Sequence, residues 1–452
     1  MLAFLAAAAL AAPAFVERPC ADPALAGKAR CGTVAVPEDR AHPARRTINL
    51  NLIIVPATGE RRLPPLFDLE GGPGIADSKN AAFYVTDGAG YHANRDVVLL
   101  DQRGTGGSNG LKCPEIDAVE AAYRPMYPPA AVRPCRAMLE RRADLRFYGT
   151  TEAVADLDAV RAALGYDRID LFALSYGTLL ALRYMATYPR QVRAAVLLSV
   201  ATPAAMVPRY HAQAADAALR LLFADCRADP QCGQAFDPGR DLKRALANLE
   251  SIPGAPPRGV FMEKLRGLLY MPAQARSVPF IVHAAANRDL KPFFAATRST
   301  GPSLFHEGTY LSVTCTESFP FFDYARAAAL ARRTPFGDYR LSRQHAACAL
   351  WPKGSVPTNF MRPPRTDAAV LLVSGRLDPV TPPAWAAAIA RALPNARQVM
   401  IPEMGHIFDG LSGIDTCFDP LMLRFFETAD VRRLDPSCLA QMRPPPFRTA
   451  GG

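Results

Sequence analysis

Ser175 stands where an apolar run gives way to a helical pattern, in Ile169-Asp-Leu-Phe-Ala-Leu-Ser175-Tyr-Gly177-Thr. A serine in that setting can act as a nucleophile on a strained strand-to-helix turn, the nucleophile elbow usually written G-x-S-x-G. The turn is tight, so the residues two before and two after the serine must be small. Gly177 meets that demand, and position 173 carries Ala, one methyl larger than the motif. The first turn of the following helix points its partial positive charge at the nucleophile.

A serine needs a base, and the base needs a group to orient it. In this arrangement the acid follows the serine and the histidine follows the acid. Downstream, Leu371-Leu-Val-Ser-Gly375-Arg-Leu-Asp378-Pro-Val-Thr puts Asp378 in a Gly/Pro turn after an apolar strand. Val399-Met-Ile-Pro-Glu-Met-Gly405-His406 then gives a strand, a glycine turn and a histidine. Histidines stand at 42, 92, 211, 283, 306, 345 and 406, and only His406 combines those features with a place after the acid. The implied chemistry is acyl transfer. Ser175 attacks a carbonyl, His406 takes its proton and later gives it to the leaving group, and Asp378 fixes the imidazole tautomer. The oxyanion needs two donors. One is expected from the backbone N–H of Tyr176. The other is expected from Leu66-Phe-Asp-Leu-Glu70-Gly71-Gly72-Pro73-Gly74, at Gly72, where glycines let the backbone approach closely.

Elements must hold these residues. Runs at 32–36, 48–55, 66–69, 97–100, 169–174, 195–200, 370–374 and 399–401 read as strands. The later ones are almost continuously apolar, as strands buried on both faces of a parallel sheet are. Helical patterns at 151–164, 176–188 and 384–393 alternate with them. That alternation predicts an α/β fold with a mostly parallel sheet. The rhythm breaks over 204–361. Helical stretches at 211–226, 241–250 and 324–333 are mixed there with Pro-rich loops such as 251–259. This insertion is expected to be a helical lid over the C-terminal edge of the sheet, where ligands bind in open α/β folds. The expected organisation is a leader at 1–14, core at 15–203, lid at 204–361, and core again at 362–452.

Taken in that order, the Gly71-Gly-Pro-Gly74 loop, Asp101-Gln-Arg-Gly-Thr-Gly-Gly-Ser108, the Ser175 elbow, Gly375-x-x-Asp378-Pro-x-Thr and Gly405-His406 resemble one branch of the α/β hydrolases. It is the proline iminopeptidase and tripeptidyl aminopeptidase-like branch. The resemblance runs from about residue 32 to the C-terminus and is weakest in the lid. It implies a serine peptidase that releases N-terminal residues or short peptides. The family's oxyanion loop usually begins with His, and here Glu70 stands there. An exopeptidase must bind a free ammonium, and a pocket carboxylate would do so. Glu317, in the lid at Val313-Thr-Cys-Thr-Glu317-Ser, and Glu70 are the candidates, and related enzymes favour the lid glutamate. Phe319, Phe321 and Phe322 could line a pocket for Pro or a small apolar side chain, or could be lid core. Asp101 and Arg103 read as a structural ion-pair and turn motif. An esterase on the same triad is the alternative, since a fold does not fix its substrate. A catalytically dead binding protein is disfavoured because serine, acid and histidine are all present.

Composition bounds the rest. The chain has 452 residues, half of them hydrophobic, with 23 Phe and 14 Tyr, which excludes a disordered polymer. The net charge is +10, but only seven of the 52 basic residues are Lys, and the arginines are scattered among alanines. No basic block or nucleic-acid motif is present, so no nucleic-acid partner is expected. No H-E-x-x-H or strand-borne G-x-G-x-x-G appears, so no metal or organic cofactor is implied. The partner expected is a peptide or small ester substrate, and no feature points to a particular oligomer. Residues 2–12 are apolar and Ala12-Pro13-Ala14 has the form of a cleavage site, so an export signal ending at Ala14 is expected, although no Lys or Arg precedes the apolar run. The apolar run is too short to span a membrane. Ten cysteines without C-x-x-C spacing fit disulfides in an oxidising compartment, periplasmic or extracellular. Sequence alone leaves the connectivity open. Pairing of nearest neighbours (20–31, 113–135, 226–232, 315–348 and 417–438) is the working expectation.

Overall fold

A computed structural model describes residues 13–298, 301 and 303–449. The apolar run of the expected leader lies outside the described residues, with only Pro13 and Ala14 of that segment inside.

Nine strands form one sheet: β1 (Phe15–Arg18), β2 (Arg30–Pro37), β3 (Thr47–Val55), β4 (Leu66–Leu69), β5 (Val97–Leu100), β6 (Ile169–Leu174), β7 (Val192–Leu198), β8 (Ala369–Gly375) and β9 (Ala396–Ile401). Their order is β1-β2-β3-β5-β4-β6-β7-β8-β9. Strands β1 to β3 pair antiparallel, β3 is antiparallel to β5, and every pair from β5 to β9 is parallel. Parallel neighbours require crossovers, and helices supply them.

The strands alternate faces as their period of two demands. In β7, Ala195 and Leu197 join one core layer, while Ala194, Val196 and Leu198 join the opposite one. In β8, Val370 and Leu372 face the first layer, and Leu371 and Val373 the second. Helices Thr150–Ala163, Tyr176–Thr187 and Pro383–Ala392 cover the first face. Helix Asp419–Thr428 covers the second through Met422, Phe425 and Phe426. Both faces of the central strands are buried, which is why those strands read as unbroken apolar runs.

Strand limits shift most at β7 and at β9, which starts at Ala396 rather than 399, and β1 is an added strand. β7 starts at Val192 rather than 195, because Arg193 interrupts the apolar pattern. Its guanidinium is paired with the buried Asp170 of β6. β7 ends at Leu198, and the chain leaves the sheet at Ser199 with φ +54°. β1 carried no signal: it is a four-residue edge strand with a mostly exposed pattern.

Between β7 and β8 the described residues form helices and loops and contain no strand. Its helices His211–Ala228, Pro238–Asn248, Arg258–Leu268 and Val278–Ala286 have a separate core built on Leu222, Phe261, Leu265 and Phe293. The cysteines pair as nearest neighbours in all five cases. The 315–348 bridge ties helix Glu307–Glu317 to helix Tyr339–Cys348.

Asp101 and Arg103 do not pair with each other. Asp101 organises the turn, accepting from Ser78 N and Gly107 N at 2.9 Å each. Arg103 reaches Asp156 through two bonds of 2.6 and 2.7 Å, and both side chains are 1 % exposed. Asp156→Ala leaves that guanidinium buried without a counter-charge. The expected loss is about 3–5 kcal/mol of unfolding free energy, read from the denaturant midpoint at constant slope. A loss below about 1 kcal/mol, the size of an exposed pair, would contradict this account.

Candidate active site

β6 ends at Leu174, and helix Tyr176–Thr187 starts at once. Ser175 between them has φ +54° and ψ −119°, a conformation that costs a non-glycine residue free energy. It is held from three sides. Its N–H donates to Leu198 O at 2.9 Å, and its carbonyl accepts Thr178 N at 2.9 Å and Thr178 Oγ1 at 2.6 Å. Gly177 is dictated by contact: a Cβ there would sit 2.0 Å from Leu69 O. Ala173 is fully buried in the first core layer beside β4, so its methyl is accommodated.

The strand-end loops bring Asp378 and His406 to Ser175. His406 Nε2 lies 2.8 Å from Ser175 Oγ. His406 Nδ1 lies 3.0 and 2.9 Å from the two oxygens of Asp378. Asp378 Oδ1 accepts the N–H groups of Val380 and Thr381 at 2.8 Å each, and Oδ2 accepts Thr381 Oγ1 at 2.6 Å. Tyr270 fixes the other side of the imidazole. Its carbonyl accepts His406 N at 2.8 Å, and its ring meets the imidazole edge-on at 4.9 Å between centroids. Asp378 and His406 are both buried. In this geometry Nε2 can accept the serine proton, while the carboxylate favours a proton on Nδ1.

The loop after β4 passes directly over the serine. A Cβ on Gly71 would lie 2.9 Å from Ser175 Cβ. The N–H of Gly71 is already used, donating to Glu70 Oε2 at 3.0 Å. The N–H groups of Gly72 and Tyr176 have no acceptor among the described residues. Glu70 is buried and engaged. Its Oε1 takes Asn80 Nδ2 at 2.9 Å and Lys79 Nζ at 3.1 Å.

A cavity of about 700 Å³ opens above Ser175 and His406, and Gly72, Tyr176, Glu70 and Glu317 line it. Glu317 ends helix Glu307–Glu317 and is 4 % exposed. Its oxygens accept Thr150 N at 2.5 Å and Thr150 Oγ1 at 2.6 Å. No cation lies within ion-pair distance of it among the described residues. Burial without a counter-charge pushes its carboxyl up to about 8. The folded protein therefore holds a proton that the unfolded chain releases above the ordinary glutamate range. That preference stabilises the fold fully at low pH and is lost as pH rises from about 4.5 through about 8. Glu317→Gln cannot lose a proton. Its melting temperature relative to the parent is expected to climb steadily from pH 5 to pH 8.5 in a thermal-shift series. A flat difference would mean the carboxyl is already ionised at pH 5.

A model described as alpha/beta hydrolase fold matches residues 64–225, the segment that carries β4 to β7 and the serine elbow. The protein has the α/β-hydrolase fold. A second model, described as TAP-like protein, matches residues 333–438, which carry Asp378 and His406. Serine protease Hip1 of Mycobacterium tuberculosis is 30% identical over 235 residues, covering 48% of this chain and 45% of that protein. The match thus spans about half the length of that relative. Carboxylesterase B of the same species is 29% identical over 444 residues, covering 88% and 84%. Tripeptidyl aminopeptidase of Streptomyces coelicolor is 26% identical over 478 residues, covering 92% and 84%.

Several residues of the site escaped sequence reading. Thr381 holds the acid, and its only signal was its place in Asp378-Pro-Val-Thr381. Thr150 bridges Glu317 and the Tyr176 hydroxyl, with a 2.8 Å contact to the latter. Thr150 is remote from both in sequence, so spacing could not reveal it. Tyr270 reaches His406 from the helical segment between β7 and β8. The Phe319 and Phe322 rings lie 5.4 Å apart and pack with Ala327, Ala328 and Leu341, away from the cavity wall.

Proposed function

We propose that this α/β hydrolase is an exported serine aminopeptidase that releases N-terminal residues or short peptides through an acyl-enzyme on Ser175. The observation that carries the chemistry is the Asp378–His406–Ser175 hydrogen-bond chain, whose Ser175 and His406 line the cavity. Ser175 Oγ attacks the scissile carbonyl as His406 Nε2 takes its proton. Asp378 stabilises the imidazolium that forms. The N–H groups of Gly72 and Tyr176 receive the oxyanion. His406 then protonates the leaving amine, and water repeats the sequence to free the acyl product. Residues 204–361 act as the lid, supported by the Tyr270 and Glu317 side chains that this segment sends to the cavity. Five disulfides support an oxidising compartment. Among the described residues no helix is long and apolar enough to cross a membrane.

Amine recognition falls to Glu317 in this reading, because its carboxylate borders the cavity without a cationic partner. Glu70 already has Lys79. The test is anilide release from one short Ala/Pro peptide, free and N-acetylated. Release from the free form alone supports an aminopeptidase, and Glu317→Gln should then raise KM for free-amine peptides while barely changing simple esters. Equal effects on both would remove that role from Glu317. The similarity to a carboxylesterase supports a second reading, an esterase on the same three residues. Ester cleavage with neither anilide released would put it first.

A further inference from the structure

Helix Glu307–Glu317 carries a second buried carboxylate at its opposite end. Glu307 is 7 % exposed and lines the same cavity. One oxygen accepts Tyr127 Oη at 2.7 Å, and the other has no hydrogen-bond partner among the described residues. No cation pairs with it there. The arginine whose field reaches it, Arg340, is spent on Glu263 at 2.6 Å and on the Tyr310 hydroxyl at 3.1 Å. Lys264 is held by Glu120 at 2.9 Å. Glu120 and Asp117 add negative charge around Glu307, and burial together with these charges pushes its carboxyl up to about 7. A buried carboxylate with an open oxygen and no counter-ion gains much from an arriving cation.

The two glutamates are ten residues apart on one helix, so about 15 Å separates them along its axis. One ammonium cannot touch both. A peptide has a single N-terminus, so a second cation must come from a side chain. Ile116, Met126 and Val260 line the same cavity and offer apolar surface for the methylene stem of such a side chain.

We propose that Glu307 and Tyr127 form a second cation subsite, which takes the side chain of a lysine or arginine in the bound peptide while Glu317 takes the N-terminal ammonium. The proposal rests on reading the cavity as a peptide site. It concerns a binding role, and no bond is made or broken at Glu307.

The test measures binding to Ser175→Ala protein by titration calorimetry, so that it does not depend on turnover. The ligands are free-amine tri- and tetrapeptides of alanine, each with lysine or norleucine at one position. Norleucine keeps the stem and lacks the ammonium. At one position lysine is expected to bind about tenfold or more tighter than norleucine, the scale of a charge-assisted hydrogen bond. Glu307→Gln in the same background should bring that ratio to about one, and Glu317→Gln should leave it unchanged. Tyr127→Phe, a second variant in case the first does not fold, should reduce the ratio without abolishing binding.

Three results would overturn the proposal. Lysine and norleucine could bind equally at every position. The preference could survive Glu307→Gln. Or Glu307→Gln could weaken all free-amine peptides alike and spare acetylated ones, which would make Glu307 the N-terminal site. If the lysine preference appears while the parent enzyme cleaves none of these peptides, the cation subsite stands and the aminopeptidase reading fails.

Discussion

Ser175→Ala is expected to lower turnover of amide and ester substrates alike by on the order of 10⁶-fold. The same variant should take no label from a fluorophosphonate probe. The prediction is large because no other hydroxyl can stand in. Ser199, just after β7, reaches the His406 loop, but its Oγ is committed to the backbone carbonyl of His406. Thr381 Oγ1 is committed to Asp378. Water can reach the cavity, but it would lack the fixed 2.8 Å approach to Nε2 that makes Ser175 Oγ an effective nucleophile. Substrate binding should survive, since the substitution removes one oxygen from a cavity of about 700 Å³. The checks are kcat under saturation and peptide mapping of the labelled parent. A label on a different serine, or turnover within tenfold of the parent, would move the nucleophile elsewhere.

The juxtaposition of Ser175, Asp378 and His406 was legible in the sequence because each sits at a place where local rules are strict. The elbow demands a small residue at 177, since any Cβ would strike Leu69 O at 2.0 Å. The acid and the base each follow a buried parallel strand, and such strands announce themselves as apolar runs. Gly72 followed from the same logic, with the Gly71 N–H occupied by Glu70 as an added selection that no spacing could have shown. The partners were a different matter. Thr150 meets Glu317 across 167 positions of chain, and Tyr127 meets Glu307 across 180. Contacts of that kind are made by packing, after the helices have docked. Edge strand β1 was invisible for the opposite reason: largely exposed and four residues long, it has too little burial to impose a pattern. Neighbour pairing of the cysteines needed no such long reach, because each bridge closes a short local loop.

Asp378→Asn should cost on the order of 10⁴-fold in kcat with little change in KM. Four donors converge on this carboxylate: the N–H groups of Val380 and Thr381, the Thr381 hydroxyl, and the imidazole Nδ1. An ionised carboxylate accepts from all four, whereas an asparagine has one acceptor oxygen and one donor group. If the amide oxygen stays with the two backbone N–H groups, its NH₂ faces Thr381 and His406. The hydroxyl can turn and accept. The imidazole can answer only by presenting a bare Nδ1, which moves its proton to Nε2. That proton then points at Ser175 Oγ, and the base can no longer take one. The loss is therefore one of tautomer, with the fold and the cavity intact, and it should separate from Ser175→Ala in a simple way. The asparagine variant keeps a nucleophile, so the fluorophosphonate probe should still label Ser175, slowed roughly in step with kcat. Burst kinetics on an activated ester should show acylation as the impaired step. A fall in kcat of less than tenfold would mean that Thr381 Oγ1, 3.3 Å from Nδ1, orients the histidine without the acid.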